Sequence, residues 1–97
     1  MIKKLKQMPY AQAHVTIYDD NTTTLRSYTT VVATLTKDKW LTIHGLYSMT
    51  TRKHIGAFMK EYCNSNYAIA KDCYVRNYML NIETGEIRFL KDVFNQD

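Results

Sequence analysis

The sequence predicts an α+β domain: an antiparallel β-sheet meander with one or two helices packed on one face and a C-terminal β-hairpin. Three observations carry that expectation. Apolar and polar residues alternate through the first half of the chain, and every connection there is too short for a crossover between parallel strands. An apolar stripe at helical spacing follows the last of those strands. Further on, two apolar runs flank Glu83-Thr84-Gly85-Glu86, a turn with glycine at its tight point.

The elements follow in order. Ala13, Val15 and Ile17 alternate with His14, Thr16 and Tyr18, the period of a half-buried strand. Asp19-Asp20-Asn21 supplies turn chemistry. Thr22 to Tyr28 is rich in β-branched residues, and Thr29 to Thr36 is a stronger strand, with Val31, Ala33 and Leu35 expected on one face and Val32 and Thr34 on the other. Lys37-Asp38-Lys39 turns the chain and Trp40 to His44 returns it, with Leu41 and Ile43 together. After Gly45, the residues Ile55, Phe58, Met59 and Tyr62 fall on one helical stripe, with Ser48, Thr50 and Thr51 as possible N-caps. Asn64-Ser65-Asn66 breaks that helix. A shorter one is expected over Tyr67 to Tyr74, with Ile69 and Cys73 inward, then the hairpin from Tyr78 to Leu90 and a tail over residues 92–97.

Composition narrows the function. The chain has 97 residues, enough for one domain spanning 1–97 with a modest core. Its net charge of +4 and pI near 9.1 favour anionic partners and exclude a strongly acidic DNA mimic. Cys63 and Cys73 are the only cysteines, too few for a disulfide scaffold and without zinc spacing. The basic start, Met1 to Lys6, leads into no apolar stretch, so no signal peptide is expected. No apolar run approaches the roughly 20 residues of a membrane span, which makes the cytoplasm the expected compartment. P-loop, HExxH, nucleophile-elbow and paired-carboxylate patterns are all missing, and His14, His44 and His54 are too dispersed to form a metal set. A binding protein without cofactor or metal is therefore expected rather than an enzyme.

Two surfaces are candidates for binding. The first is the helix entrance, Ser48, Thr50, Thr51, Arg52, Lys53 and His54. Acidic residues are favoured in a helix's first turn, yet this one carries cations, each unfavourable by roughly 0.3–1 kcal/mol if charged. An anion held by hydroxyls, free N–H groups and Arg/Lys would account for that. Plain capping by the hydroxyls, with Arg52 and Lys53 in water and His54 packed on Phe58, accounts for it equally. The second is an open sheet face bearing His14, Tyr18, Trp40 and His44, a platform for stacked bases or for a protein partner. A one-residue slip in register would instead place Trp40 in the core.

Tyr28-Thr29-Thr30-Val31-Val32-Ala33, the run Gly45-Leu46-Tyr47-Ser48-Met49-Thr50-Thr51-Arg52-Lys53-His54-Ile55, and Phe58 together resemble a family of short, functionally uncharacterised proteins. The relatives are encoded by phages of Gram-positive (Firmicute) bacteria and by their prophages. The likeness covers about residues 2–74 and is most specific in Tyr-Ser-x-Thr-Thr-x-x-His-Ile. It supplies no active site. It implies a phage accessory protein made in the bacterial cytoplasm, where small anti-defence proteins, anti-CRISPR inhibitors among them, are common. The leading expectation is stoichiometric inhibition of a host defence protein or nucleoprotein complex. A sponge that sequesters a nucleotide immune signal at a homo-oligomer interface and a small DNA- or RNA-binding regulator are the alternatives.

Overall fold

The computed structural model describes residues 1–91. Seven strands pair antiparallel in chain order: β1 (Ile2–Lys4), β2 (Ala13–Ile17), β3 (Thr23–Ser27), β4 (Thr30–Leu35), β5 (Trp40–Ile43), β6 (Tyr78–Asn81) and β7 (Ile87–Phe89). Two helices, α1 (Met49–Tyr62) and α2 (Tyr67–Arg76), are inserted between β5 and β6. Those strands are antiparallel neighbours, with Trp40 opposite Asn81 and Leu41 opposite Leu80. The chain therefore leaves and re-enters the sheet at one end, and a pair of helices, one out and one back, closes the path.

One face of the sheet is covered. Ala13, Val15, Leu25, Ala33, Leu35, Leu41 and Ile43 point into the core, where Ile55, Phe58 and Met59 of α1 and Ala70 and Cys73 of α2 meet them. α1 crosses β3, while α2 lies against β5 and β6. The Tyr78 hydroxyl donates to Asp72, which also pairs with Arg76 at 3.1 Å, and this ties α2 to the hairpin. Both helices start on side-chain caps: the amide of Thr51 donates to Ser48 Oγ and that of Ile69 to Asn66 Oδ1. Asn77, left-handed at φ 60°, ends α2, and Gly85 at φ 79° turns the hairpin.

Three features depart from the sequence reading. First, β4 does not alternate cleanly. A β-bulge shifts the register between Leu25 and Arg26, so that Ala33 opposes Leu25 while Val31 opposes Arg26. Val32 is the extra residue; it and Ala33 are both buried, and Val31 is 37% exposed. Second, α2 extends to Arg76 and buries Ala70 and Cys73, a three-residue step, leaving Ile69 39% exposed. Third, the basic start forms edge strand β1, pinned by the buried Leu5, with the Met1 ammonium donating to the Ile17 carbonyl at 2.8 Å. Lys3 and Lys4 on that edge discourage strand addition by another chain. The expected tail over residues 92–97 lies outside the described residues.

The corrected packing predicts that Phe58→Ala costs about 3–5 kcal/mol in urea unfolding, the usual range for emptying a buried aromatic site. Ile69→Ala should cost less than about 1 kcal/mol. Comparable losses for the two would contradict the α2 register.

Candidate functional site

The helix entrance divides into an inward and an outward half. Ser48, Thr51 and His54 recur every three residues, and the last two are buried at 3% and 1% exposure. Ser48 Oγ donates to Thr51 Oγ1 at 3.3 Å. Thr51 Oγ1 lies 2.9 Å from Ser27 Oγ on β3, and Ser27 Oγ lies 2.8 Å from His54 Nδ1. With Ser48 donating first, each hydroxyl finds an acceptor only if the chain continues in one direction. Thr51 then donates to Ser27, and Ser27 donates to His54 Nδ1. That order places the imidazole proton on Nε2 and keeps the ring neutral. Burial likewise pushes the His54 pKa down. The Tyr28 ring rests against the imidazole, with centroids 5.8 Å apart. Tyr28 (φ 56°) and Tyr47 (φ 47°), on either side of this cluster, both hold left-handed backbone, a costly conformation for bulky residues that needs surrounding structure to enforce it.

Thr51 and His54 are thus not open to an anion. They fasten α1 to β3, and Phe58 stacks on Tyr62 rather than on His54. The Ser27–His54 pair has hydroxyl–imidazole geometry, but both groups are buried, so no substrate reaches the Ser27 oxygen in this conformation. Sequence reasoning missed Ser27 because β3 showed no clear face pattern.

The outward half, Met49, Arg52, Lys53, Gly56 and Lys60, forms a second stripe on α1. It walls a groove of about 790 Å³ between α1, the start of α2 and the loop at Gln7–Met8. Tyr67 and Ala68 close the other side, and the lining contains no carboxylate. None of the groove's three cations forms an ion pair among the described residues. Thr50 is exposed beside Arg52 but does not line the groove. Gly56 is unusual here, since glycine inside a helix is unfavourable by roughly 1 kcal/mol against alanine. A Cβ at Gly56 would meet only Tyr67 Cβ, at an ordinary 3.5 Å. Packing does not require the glycine; a larger side chain would grow into the groove.

The other candidate surface is the uncovered sheet face. Thr16, Thr24, Thr34 and Thr42 stand directly opposite one another across β2 to β5. Tyr18, two residues beyond Thr16, and Trp40, two before Thr42, flank one side of this row at its opposite ends. His14, opposite Arg26 and Lys4, and His44 flank its other side. The four residues expected to form a platform therefore share a face but not a pocket: β2 and β5 are three strand spacings apart, about 14 Å. His44 Nε2 is engaged by Thr34 Oγ1 at 2.8 Å, and burial lowers its pKa. Trp40 is half-buried beneath the Arg88 guanidinium, whose carbon sits 4.6 Å from the ring centroid. Among the described residues no strand contains Asp or Glu, so Lys4, Arg26 and Arg88 face solvent without acidic neighbours in the sheet, apart from Glu86, 3.4 Å from Arg88 in the hairpin turn.

Burial pushes the Cys63 thiol up to about 12 and that of Cys73 up to about 11, leaving neither as a ready nucleophile at neutral pH. No group of three or more His, Cys, Asp and Glu residues suited to a metal exists among the described residues. No helix among them is long and apolar enough to cross a membrane.

Fold and surfaces define a one-sided antiparallel sheet carrying two helices, with a cationic groove on its helical side. The chain belongs to a family of unknown function, DUF8033, whose profile matches residues 3–76. That span runs from β1 to the end of α2 and includes the buried hydroxyl–imidazole chain and every residue that lines the groove. No curated protein and no solved structure matches the chain.

Three outcomes are expected. Imidazole in the unfolded chain titrates near 6.5, and the buried His54 takes its proton only at lower pH. Below about 6.5 the unfolded state therefore binds a proton that the folded state refuses, and stability falls as pH drops through that window; above it the effect vanishes. Urea midpoints at pH 7.5 and 5.5 should show this fall, smaller in His54→Gln; equal slopes in parent and variant would contradict it. Thr51→Val, which interrupts the chain, should cost about 1–3 kcal/mol, while Gly56→Ala should raise the melting temperature.

Proposed function

We propose that the chain is a bacteriophage accessory protein that acts in the host cytoplasm by stoichiometric binding. Its target in this reading is a nucleoprotein complex of a bacterial anti-phage defence system, and its contact surface is the open sheet face. The observation that carries the reading is that face itself: uncovered, cationic in Lys4 and Arg26, with Arg88 paired to Glu86 at its margin, and formed by strands without carboxylates. β-Branched threonines have few rotamers to lose, so ordering the Thr16–Thr42 row against a partner costs little side-chain entropy. Tyr18 and the Trp40–Arg88 pair supply larger anchors of the kinds that dominate interface energetics. The resemblance in the Tyr47–Ile55 run supports the phage setting.

Arg52 and Lys53 lie in the helical layer, away from this face, and take no part in the contact. Association is steered by charge and weakens as salt rises. A defence complex presents both phosphate and protein surface, so the chain should bind the assembled complex more tightly than its nucleic acid alone.

The test is phage plating on hosts that each carry one nucleic-acid-guided defence system, with and without the chain. Plaque formation should be restored in at least one host and lost again with Trp40→Ala or Arg26→Glu, both remaining folded by circular dichroism. Plating restored in none of them, or variants as active as the parent, would sink the assignment.

A further inference from the structure

We infer that the groove between α1 and the start of α2 is a binding site for a nucleotide, a ligand with phosphates and a flat ring. The inference is independent of the sheet-face reading, because it concerns the helical side of the molecule. Charge is its first support. Arg52, Lys53 and Lys60 line the groove without a carboxylate among them, and no ion pair satisfies them among the described residues. Lys60 is eight residues beyond Arg52 on the same stripe, about 12 Å along the helix, so the positive charge stands at both ends of the groove rather than at one point. Between them opens the N-terminus of α2, whose first-turn amides at Tyr67 and Ala68 have no intrahelical partner and face no acidic side chain of their own turn.

Space is the second support. Gly56 sits in the middle of that stripe, where alanine would fit the protein and favour the helix. Keeping glycine there leaves the floor open, which is explained by an occupant and not by packing. The third is the wall: Met8 and Met49 present pliable thioether chains to the groove, surfaces that adapt to a planar ring. A volume near 790 Å³ accommodates a nucleotide, within the usual span of small-molecule sites. A bare phosphate would leave the apolar wall unused, and a purely apolar ligand would leave the three cations without a counter-charge.

Purified chain at low salt should be titrated with a fluorescent N-methylanthraniloyl derivative of ADP, with unlabelled ADP, inorganic pyrophosphate and an acidic hexapeptide as competitors. Saturable binding displaced by ADP is expected, with pyrophosphate competing more weakly and the peptide not at all. The Arg52→Ala/Lys53→Ala double variant should lose roughly tenfold or more in affinity. Gly56→Leu should abolish binding, and Trp40→Ala, on the sheet face, should leave it unchanged. Should Gly56→Leu fail to fold, Lys60→Ala, an exposed position, serves in its place and should weaken binding. Absence of saturable binding at millimolar ADP overturns the inference, as does binding indifferent to both Gly56→Leu and Lys60→Ala. Pyrophosphate competing as well as ADP would overturn the role given to the ring, and displacement by the peptide instead of ADP would replace the nucleotide with an acidic protein segment.

Discussion

The hydrogen-bonded chain from Ser48 through Thr51 and Ser27 to His54 is the interaction on which the rest of the structure depends. It is the polar fastening between α1 and β3, at the point where the path leaves the sheet for the helices. Apolar contacts hold the two layers together but do not prescribe how far α1 may slide or rotate over β3. A buried polar chain does, because each misplacement strands a donor or acceptor away from water. The placement of α1 in turn sets α2, whose Tyr67 touches the position of Gly56, and with it the geometry of the groove.

One short run of sequence thereby serves two purposes, separated by helical periodicity. Thr51 and His54 turn inward and secure the fold, with the exposed Ser48 capping the helix above them. Met49, Arg52, Lys53, Gly56 and Lys60 turn outward and shape a cationic surface. A run so specific in type invites a single functional reading, and the structure argues against one. On the opposite side of the sheet the threonine row needs no fastening of its own, since it is the uncovered face of strands whose other face is core.

Strong local patterns were legible in the sequence. The β2 alternation, the α1 stripe and the Gly85 hairpin each arise from a period or turn residue that neighbouring elements do not override, and the open face of His14, Thr16, Trp40 and Thr42 followed from the same period. The failures share a cause in long-range geometry. The bulge at Val32 needs the partner strand to be seen, and the register of α2 depends on which of Ala70 and Ile69 meets the sheet. β1 is three exposed residues whose pairing with β2 leaves no hydrophobic period to read. At the helix entrance, the residue types were identified but their roles were not: Ser27, 24 residues before Thr51, turns two apparent anion ligands into structural ones. Arg88, which covers Trp40, lies 48 positions further along and was equally beyond local inspection.

The measurement that tests the central claim most directly is the nitrogen NMR spectrum of the His54 ring at pH 7.5, which reports which ring nitrogen carries the proton. The buried chain predicts a neutral ring with its proton on Nε2 and an unprotonated Nδ1 accepting from Ser27, in protein that remains folded. A proton on Nδ1, or an imidazolium in the intact fold, would contradict the one-directional chain and with it the account of how α1 is held to the sheet.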